Sequence, residues 1–246
     1  MEKLLWESRN PVQVGKGLML YHKEDAYLQL LVLGETGEPA LHLVLEDAKP
    51  DTLDRVKESY PDVRVFQAWF GTEFYLVPDA FAQARIPMTD VKLQRMDTGT
   101  GISLVFENTG QSMHMAAAAY KLALEGLQQH SHYAWLAIHQ QRALLFCFEN
   151  RQLILANVFP AENEQEALYF ALAPFRKSGT ALEKIRIDIL TDATLLPAFL
   201  QAFRRFVPDT QAVASRLPYS DNENPPYHHI SELLYALRQC ELPVEI

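Results

Sequence analysis

The sequence predicts a mixed α/β fold built from two similar lobes. Three short β-rich segments, a helix and a further strand follow one another in that order, once in each half of the chain. The spacing agrees between the halves. From the first hairpin corner to the strand after the helix there are 41 residues in one half (His22 to Val63) and 46 in the other (His139 to Ile185). The halves share this order of elements without sharing a sequence, which indicates a duplicated architecture.

In the first half, short polar loops join three segments of strand character, as is typical of hairpins. Leu41, Leu43 and Leu45 share one face of the third segment because side chains alternate along a strand. Pro50 suits the first turn of a helix and Pro61 ends it. The predicted strands cover residues 17–22, 26–33, 40–46 and, after the helix, 63–69.

The second half repeats this order, with strands predicted over residues 133–139, 142–149 and 152–159. Asn163, followed by Glu166 three residues later, resembles a capping box, and Gly179 is typical of a helix end. The apolar stripe of this helix consists of Leu168, Ala171, Leu172 and Phe175. A strand over 185–190 and a helix over 194–206 complete the half.

A connecting helix is predicted between the halves, because residues 111–130 contain a run of four alanines, the residue that most favours helix. The polar segment from Gln128 to Ser131 marks the boundary between the lobes. We therefore expect a first lobe over residues 1–128, including the connecting helix, and a second lobe over 129–246.

Composition narrows the classes of partner and compartment. The 246-residue chain carries a net charge of −9, which disfavours nucleic acid and anionic membrane surfaces. No apolar run approaches the ~20 residues that span a bilayer. Cys147 and Cys240 show no CxxC spacing, which fits a reducing compartment, and both are expected to pack in the core. A cytoplasmic protein is predicted.

Three stretches carry a resemblance to a known family. "EFYLVPDAF" (73–81), "LILANVFPAENEQEALYFAL" (153–172) and "LLYALRQCEL" (233–242) are similar to a family of uncharacterised bacterial proteins with a degenerate actin-like ATPase fold. Asn157, Phe159 and Tyr169 match features of that family. The resemblance implies two lobes of the ribonuclease-H-like kind, each a mixed sheet of order βββαβ with added helices, and no established activity.

The actin-like fold places its phosphate-binding turns at defined points, so the resemblance can be examined there. Working ATPases of this fold carry glycines in these turns, because backbone N–H groups must approach the phosphates. The corresponding turns here, His22 to Asp25, His139 to Arg142 and Thr191 to Ala193, contain no glycine. We therefore expect no nucleotide cofactor.

One stretch, "RMDTGTGISLVF" (95–106), resembles two catalytic motifs. Asp97-Thr98-Gly99 is similar to the loop of an aspartic protease, which needs a second copy or a homodimer, and no second copy is present. As a phosphate loop the stretch lies in the wrong place, after the first sheet. The favoured interpretation is a hairpin in which Asp97, Gly99 and Gly101 supply positive φ angles.

The histidines give no metal motif in the sequence. His130 and His132 would share one face of a strand, as a two-ligand metal site requires, but no cysteine or carboxylate lies at a matching spacing. His228 and His229, in an extended segment, would point in opposite directions. Loop or partly buried histidines are expected, and no metal-binding residue is predicted.

The sequence favours a non-catalytic interaction protein that has lost nucleotide binding, with no catalytic or cofactor-binding residue. Its partner would be another protein, bound in the cleft between the lobes or by the irregular loop from Asp221 to Pro226. The alternative is an enzyme, a phosphotransferase or hydrolase, that uses the same cleft. Four carboxylates would have to converge there: Glu24, Asp25, Asp188 and Asp192.

Overall fold

The computed structural model describes residues 2–10, 14–24, 27–71, 73–79, 93–107, 112–217, 227–240 and 242–245. In these ranges the chain forms fifteen strands, five α-helices and a short 3-10 helix at Leu182–Lys184. The strands are β1 (Lys3–Arg9), β2 (Leu18–Lys23), β3 (Tyr27–Leu33), β4 (Pro39–Glu46), β5 (Arg64–Trp69), β6 (Tyr75–Pro78), β7 (Leu93–Asp97), β8 (Ile102–Glu107), β9 (Ser112–His114), β10 (His132–His139), β11 (Arg142–Glu149), β12 (Gln152–Pro160), β13 (Arg186–Leu190), β14 (Thr210–Ala212) and β15 (Val244–Glu245). The helices are α1 (Thr52–Ser59), α2 (Met115–Leu127), α3 (Glu164–Ser178), α4 (Leu196–Arg204) and α5 (His228–Leu237).

The two main sheets have the same topology. The first has the order β1-β4-β3-β2-β5-β9, and the second the order β12-β11-β10-β13-β14. In each, three strands form antiparallel pairs, and two further strands are added parallel to the first strand of the meander. Without β1 the orders are identical, so β2 is equivalent to β10 and β5 to β13. The predicted duplicated, two-lobed mixed α/β fold is confirmed.

The first lobe contains elements beyond the duplicated order, and the sequence predicted neither β1 nor β15 among them. β1 adds an edge strand to the first sheet, and β6, β7 and β8 form a separate four-stranded sheet with β15. In that small sheet Val244 pairs with Arg95, so the chain returns to the first lobe after completing the second. The predicted boundary at residues 128 and 129 remains a prediction, but α5 and β15 pack against the first lobe.

The main core lies between the two large sheets. Helix α2 brings the four alanines of residues 116–119 into it, each fully buried. Because alanine is small, the sheets and α5 can approach this helix closely, and Leu31, Phe146 and Leu233 belong to the same apolar cluster. The connecting helix is therefore confirmed, and it packs in the apolar core that residues of both lobes share.

The predicted cap and stripe of the second-lobe helix are also confirmed. The Asn163 side chain accepts a hydrogen bond from the Glu166 N–H at 3.0 Å, and Glu166 accepts one from the Glu162 N–H at 2.9 Å. Gly179 ends the helix with a φ of 77°. The buried face contains all four predicted stripe residues together with Ala167.

A close contact fixes α2 on the second sheet. The Tyr133 hydroxyl donates a hydrogen bond to Asp188 Oδ2 at 2.8 Å. A Cβ atom placed on Gly126 would lie 2.0 Å from this hydroxyl oxygen and 3.2 Å from Asp188 Oδ2. Glycine is therefore required by the approach of a buried tyrosine, in the last turn of a helix whose residues otherwise favour alanine.

Gly126→Ala should consequently lower the free energy of unfolding by about 1–3 kcal/mol, the usual cost of overpacking. An unhindered glycine-to-alanine change inside a helix instead raises stability by about 1 kcal/mol. The sign of the change in the free energy of unfolding, measured by urea denaturation, therefore distinguishes a hindered glycine from an unhindered one. Gly126→Ser should lower this free energy more than Gly126→Ala does. A variant as stable as the parent would show that Tyr133 does not constrain the helix.

Candidate functional site

Two equivalent hairpin corners face each other across the lobes. β2 and β10 are the central strands of their sheets, and each carries a buried histidine at its carboxyl end, His22 and His139. The centroids of the two imidazole rings lie 5.6 Å apart. The duplication therefore brings the two copies of one structural position into a single site.

Glu24 lies between these histidines. Its Oε1 is 3.0 Å from His22 Nε2 and 2.8 Å from His139 Nε2. The three atoms lie within 4.8 Å of one another. The Glu24 side chain is 16% exposed, so this carboxylate is held between the lobes with little water around it.

The ring orientation of His22 is set by the neighbouring strand. Its Nδ1 is 2.9 Å from the Ala68 carbonyl oxygen, which can only accept, so Nδ1 carries the hydrogen. Nε2 then faces Glu24 Oε1. Within the described residues this buried nitrogen has no hydrogen-bond partner, because its close approach to Oε1 lacks hydrogen-bond alignment.

His139 is held by a second layer of side chains. Its Nδ1 lies 2.9 Å from Nε2 of His229, the second residue of α5. Complete burial, with the nearby imidazoles His139, His228 and His22 adding to it, lowers the pKa of His229 well below its usual value, so this ring is neutral. Phe70 contacts the other side, with ring centroids 5.7 Å apart.

Two tyrosines cover the site. The Tyr27 hydroxyl is 3.0 Å from His139 Nε2, and its ring stacks on Tyr227 with centroids 4.1 Å apart. Burial and the hydrogen bond to Glu24 raise the pKa of Tyr27, which therefore stays protonated. Burial also opposes ionisation of Glu24, but the contacts from His139, His22 and Tyr27 outweigh it and hold the Glu24 pKa far below its usual range. The carboxylate is ionised.

The turn after β10 contacts the site and has an unusual backbone conformation. Gln140 and Gln141 both have positive φ angles, 44° and 58°, which residues other than glycine seldom adopt. The Gln140 side-chain amide donates a hydrogen bond to Glu24 Oε2. The second-lobe turn thus contacts both oxygens of Glu24, which supports its unfavourable backbone conformation.

The turn from Thr191 to Ala193 holds Tyr227, one of the two tyrosines that cover the site. Asp192 Oδ1 accepts hydrogen bonds from the Thr194 N–H and hydroxyl at 2.9 and 2.7 Å, and its Oδ2 accepts one from the Tyr227 N–H at 3.3 Å. Burial opposes the ionisation of Asp192, but these hydrogen bonds outweigh it and lower the Asp192 pKa. Asp192 therefore positions Tyr227 over Tyr27.

The carboxylates named for the enzyme alternative have different hydrogen-bond partners. Asp188 contacts Arg186 at 2.6 Å and the Tyr133 hydroxyl. Asp192 binds backbone and hydroxyl donors of its own turn, and Asp25 lies outside the described residues. The loop from Asp221 to Pro226, named as a partner site, also lies outside them.

The hairpin interpretation of the Asp97 stretch is confirmed, with one correction. β7 ends at Asp97 and β8 begins at Ile102, and Gly99 and Gly101 have φ angles of 71° and 81°. Asp97 itself does not adopt a positive φ. Its carboxylate instead accepts a hydrogen bond from the Gly99 N–H at 2.6 Å, which is the usual role of an aspartate in a turn.

The remaining histidines and cysteines are placed as follows. His130 stacks on Tyr133 and His132 contacts Ser131, so neither lies in the Glu24 site. The expectation that His228 and His229 belong to an extended segment is wrong, because they begin α5 and the helix directs His229 into the site. Both cysteines are buried as expected, and burial raises their pKa values, to about 11 for Cys240.

Comparison with known proteins agrees with this architecture. Residues 106–209 match the family described as a protein of unknown function, DUF3822. A protein from Bacteroides thetaiotaomicron described as having an actin-like ATPase fold and unknown function superimposes with a TM-score of 0.60 at 10% identity, covering 89% of this chain and 95% of that one. The chain has the actin-like ATPase fold. The expected resemblance to an uncharacterised family with this fold is confirmed.

A second structure with this fold is described as the PilM–PilN type IV pilus biogenesis complex. It matches with a TM-score of 0.53 at 12% identity, covering 90% of this chain and 98% of that one. No curated protein matches the chain. None of the helices in the described ranges is long and apolar enough to cross a membrane.

The sequence predicted both turns of this site, His22 to Asp25 and His139 to Arg142, but not that they lie next to each other. The available signal was the repeat itself, because a histidine ends the first strand of the meander in both halves. Since equivalent corners of an actin-like duplication meet at the cleft, two histidines at one repeated position are expected to be neighbours.

The Tyr27 hydroxyl should contribute measurably to stability. Tyr27→Phe keeps the ring stacked on Tyr227 but removes the contacts with His139 and Glu24, so we expect a loss of about 1–3 kcal/mol in the free energy of unfolding. Tyr227→Phe is the matched control, because Tyr227 contributes its ring and its backbone. Urea denaturation of both variants at neutral pH compares them. Equal losses would contradict a special role for the Tyr27 hydroxyl.

Proposed function

We propose that the protein is a non-catalytic interaction protein with an actin-like fold and without nucleotide binding. The observation that carries this proposal is the contact of Glu24 with His139 between the two hairpin corners. In that place a nucleotide-binding relative would need free N–H groups and open space. Here the donors are already directed at the protein's own carboxylate.

Electrostatics support this proposal. The ionised Glu24 repels a phosphate chain, and the chain as a whole already carries a net charge of −9. Within the described residues of the three turns there is no glycine, so Cβ atoms keep the backbone away from a ligand. Lys23 and Arg142, the basic residues of these turns, are exposed at the surface.

The local partners of Asp188 and Asp192 favour the interaction role over the enzyme alternative. A phosphotransferase or hydrolase would need several acidic groups around one reacting centre. Asp188 and Asp192 are instead each held by hydrogen bonds of their own surroundings. A structure of this fold described as a two-protein complex is a further point in favour of binding another protein.

Mg-ATP should produce no thermal stabilisation. A ligand present at 100 times its dissociation constant adds about 2.7 kcal/mol of stability, which shifts a melting curve by several degrees. We therefore expect unchanged melting curves at millimolar Mg-ATP, both for the parent chain and for Glu24→Ala, which removes the repelling charge. A shift that requires Mg²⁺ would contradict the proposal. If it appeared in Glu24→Ala alone, the carboxylate would be the element that prevents nucleotide binding.

The partner surface that we propose is an apolar groove on the second lobe. It has a volume of about 730 Å³ and lies between β12 and α3. Tyr169 is 63% exposed and Ile154 is 41% exposed, while Phe159 and Phe170 stack at a centroid distance of 4.4 Å. Large aromatic and aliphatic side chains exposed together in this way mark binding surfaces more often than isolated ones do.

The groove borders a sheet edge. In the part of the chain that is described, β12 pairs with β11 on one side and has no strand on the other. An unpaired edge beside an apolar groove suits an extended peptide, whose backbone bonds to the edge while alternate side chains enter the groove. We infer that the occupant is an extended, apolar segment of a partner protein.

A photo-crosslinking amino acid tests this surface in the host cell. Placed at Tyr169 it should give one discrete adduct. Placed at Leu195, an exposed apolar residue outside the groove, it should give none. Adding Ile154→Asp to the Tyr169 probe should reduce that adduct severalfold, because a carboxylate in the groove loses the apolar contact. The same adduct at both positions, or one insensitive to Ile154→Asp, would contradict the assignment.

A further inference from the structure

We propose that His22, Glu24 and His139 form a binding site for a divalent transition-metal ion that links the two lobes. This inference does not depend on the proposed function, because a metal held by protein side chains needs no nucleotide. The first lobe supplies His22 and Glu24, and the second supplies His139. The ion would therefore replace a direct contact between the lobes with a coordinated one.

The distances suit such an ion after a small adjustment. Zn²⁺ holds imidazole nitrogens and carboxylate oxygens at about 2.0–2.2 Å, so tetrahedral ligands stand roughly 3.3 Å from one another. Here Glu24 Oε1 is 3.0 Å from His22 Nε2 and 2.8 Å from His139 Nε2. An outward movement of Oε1 by roughly half an ångström would bring it to that spacing from each nitrogen, and the three ligand atoms already lie within 4.8 Å of one another.

His22 supplies independent support. Its Nδ1 donates to the Ala68 carbonyl, which turns the buried Nε2 toward the Glu24 carboxylate, and this nitrogen has no aligned hydrogen-bond partner among the described residues. At 3.0 Å the nitrogen and the carboxylate oxygen are stabilised only by a cation between them, and both a proton and a metal ion can serve. A metal ion would satisfy both groups. His22 is only 4% exposed, so water has little access to this nitrogen.

The outer contacts of both histidines are those of metal ligands. A ligating imidazole usually donates its other ring nitrogen to a carbonyl, a carboxylate or another acceptor, which fixes its orientation. His22 does so through Ala68, and His139 does so when its Nδ1 donates to His229 Nε2, 2.9 Å away. The Tyr27 hydroxyl, 3.0 Å from His139 Nε2, or a water molecule can complete the coordination.

The donor set selects the class of metal. Two imidazoles with one carboxylate suit Zn²⁺ and the neighbouring first-row ions, whereas Mg²⁺ and Ca²⁺ prefer oxygen ligands. The site would thus differ in kind from a Mg²⁺-phosphate site. Its burial beneath Tyr27 and Tyr227 makes a linking role more suitable than an open catalytic position.

Zn²⁺ titration of the chelator-stripped full chain tests the proposal. We expect one tightly bound Zn²⁺ per chain by equilibrium dialysis with elemental analysis, together with a higher melting temperature. Co²⁺ should give the visible absorption of a four-coordinate centre. His22→Gln, Glu24→Gln and His139→Gln should each lower the affinity roughly 100-fold. His132→Gln, which changes a histidine outside the site, should leave it unchanged.

Circular dichroism identifies any variant that fails to fold, and His229→Gln then serves as a milder probe. It keeps all three ligands and should weaken binding about tenfold or more through the altered orientation of His139. The proposed site would be wrong if the Zn²⁺ affinity were the same in the parent chain as in His22→Gln and His139→Gln. It would also be wrong if the folded parent chain did not bind Zn²⁺ tightly. Such a failure would leave the proposed function standing. Mg-ATP binding by the Zn²⁺-free chain would sink that function and leave the metal site standing.

Discussion

The contact between Glu24 and the second-lobe histidine is the interaction on which the geometry of the cleft depends. It places an ionised carboxylate from one lobe against a side chain of the other, largely out of water. A charge in this position is stabilising only when its partners are correctly placed, so the carboxylate specifies the relative position of the two hairpin corners. The glutamine turn, the second histidine and the tyrosine cover all contact this one group or its partner. The cleft between the two hairpin corners is thus occupied by the protein's own side chains.

The architecture could be predicted well because its signals are local and repeated. Leucines alternating along β4, the capping pair at α3 and the alanine run of α2 each determine an element from neighbouring residues. The duplicated order then supplies the topology. β1 and β15 were missed because a short edge strand depends on a distant partner, and the pairing of Val244 with Arg95 has no local trace.

The site could be predicted less well, since its residues come from four separated segments. Glu24, His139 and His229 are distant in sequence, and each occurs in a stretch whose local pattern indicates only a turn or a helix start. The position of His229 shows the difficulty, because an extended backbone and a helix direct the same pair of histidines differently. Which residues face the cleft is decided by packing between elements, whereas periodicity reports packing only within one.

The return of α5 and β15 to the first lobe has a consequence for the order of folding. A ribosome releases the chain from the amino end, yet the core around α2 includes Ile230, Leu233 and Leu237 of the last helix. The first lobe therefore remains without part of its apolar core, and its small sheet without one strand, until residues 228–245 have emerged. Until then the second lobe is the more nearly complete unit, and the lobe that is synthesised first is completed last.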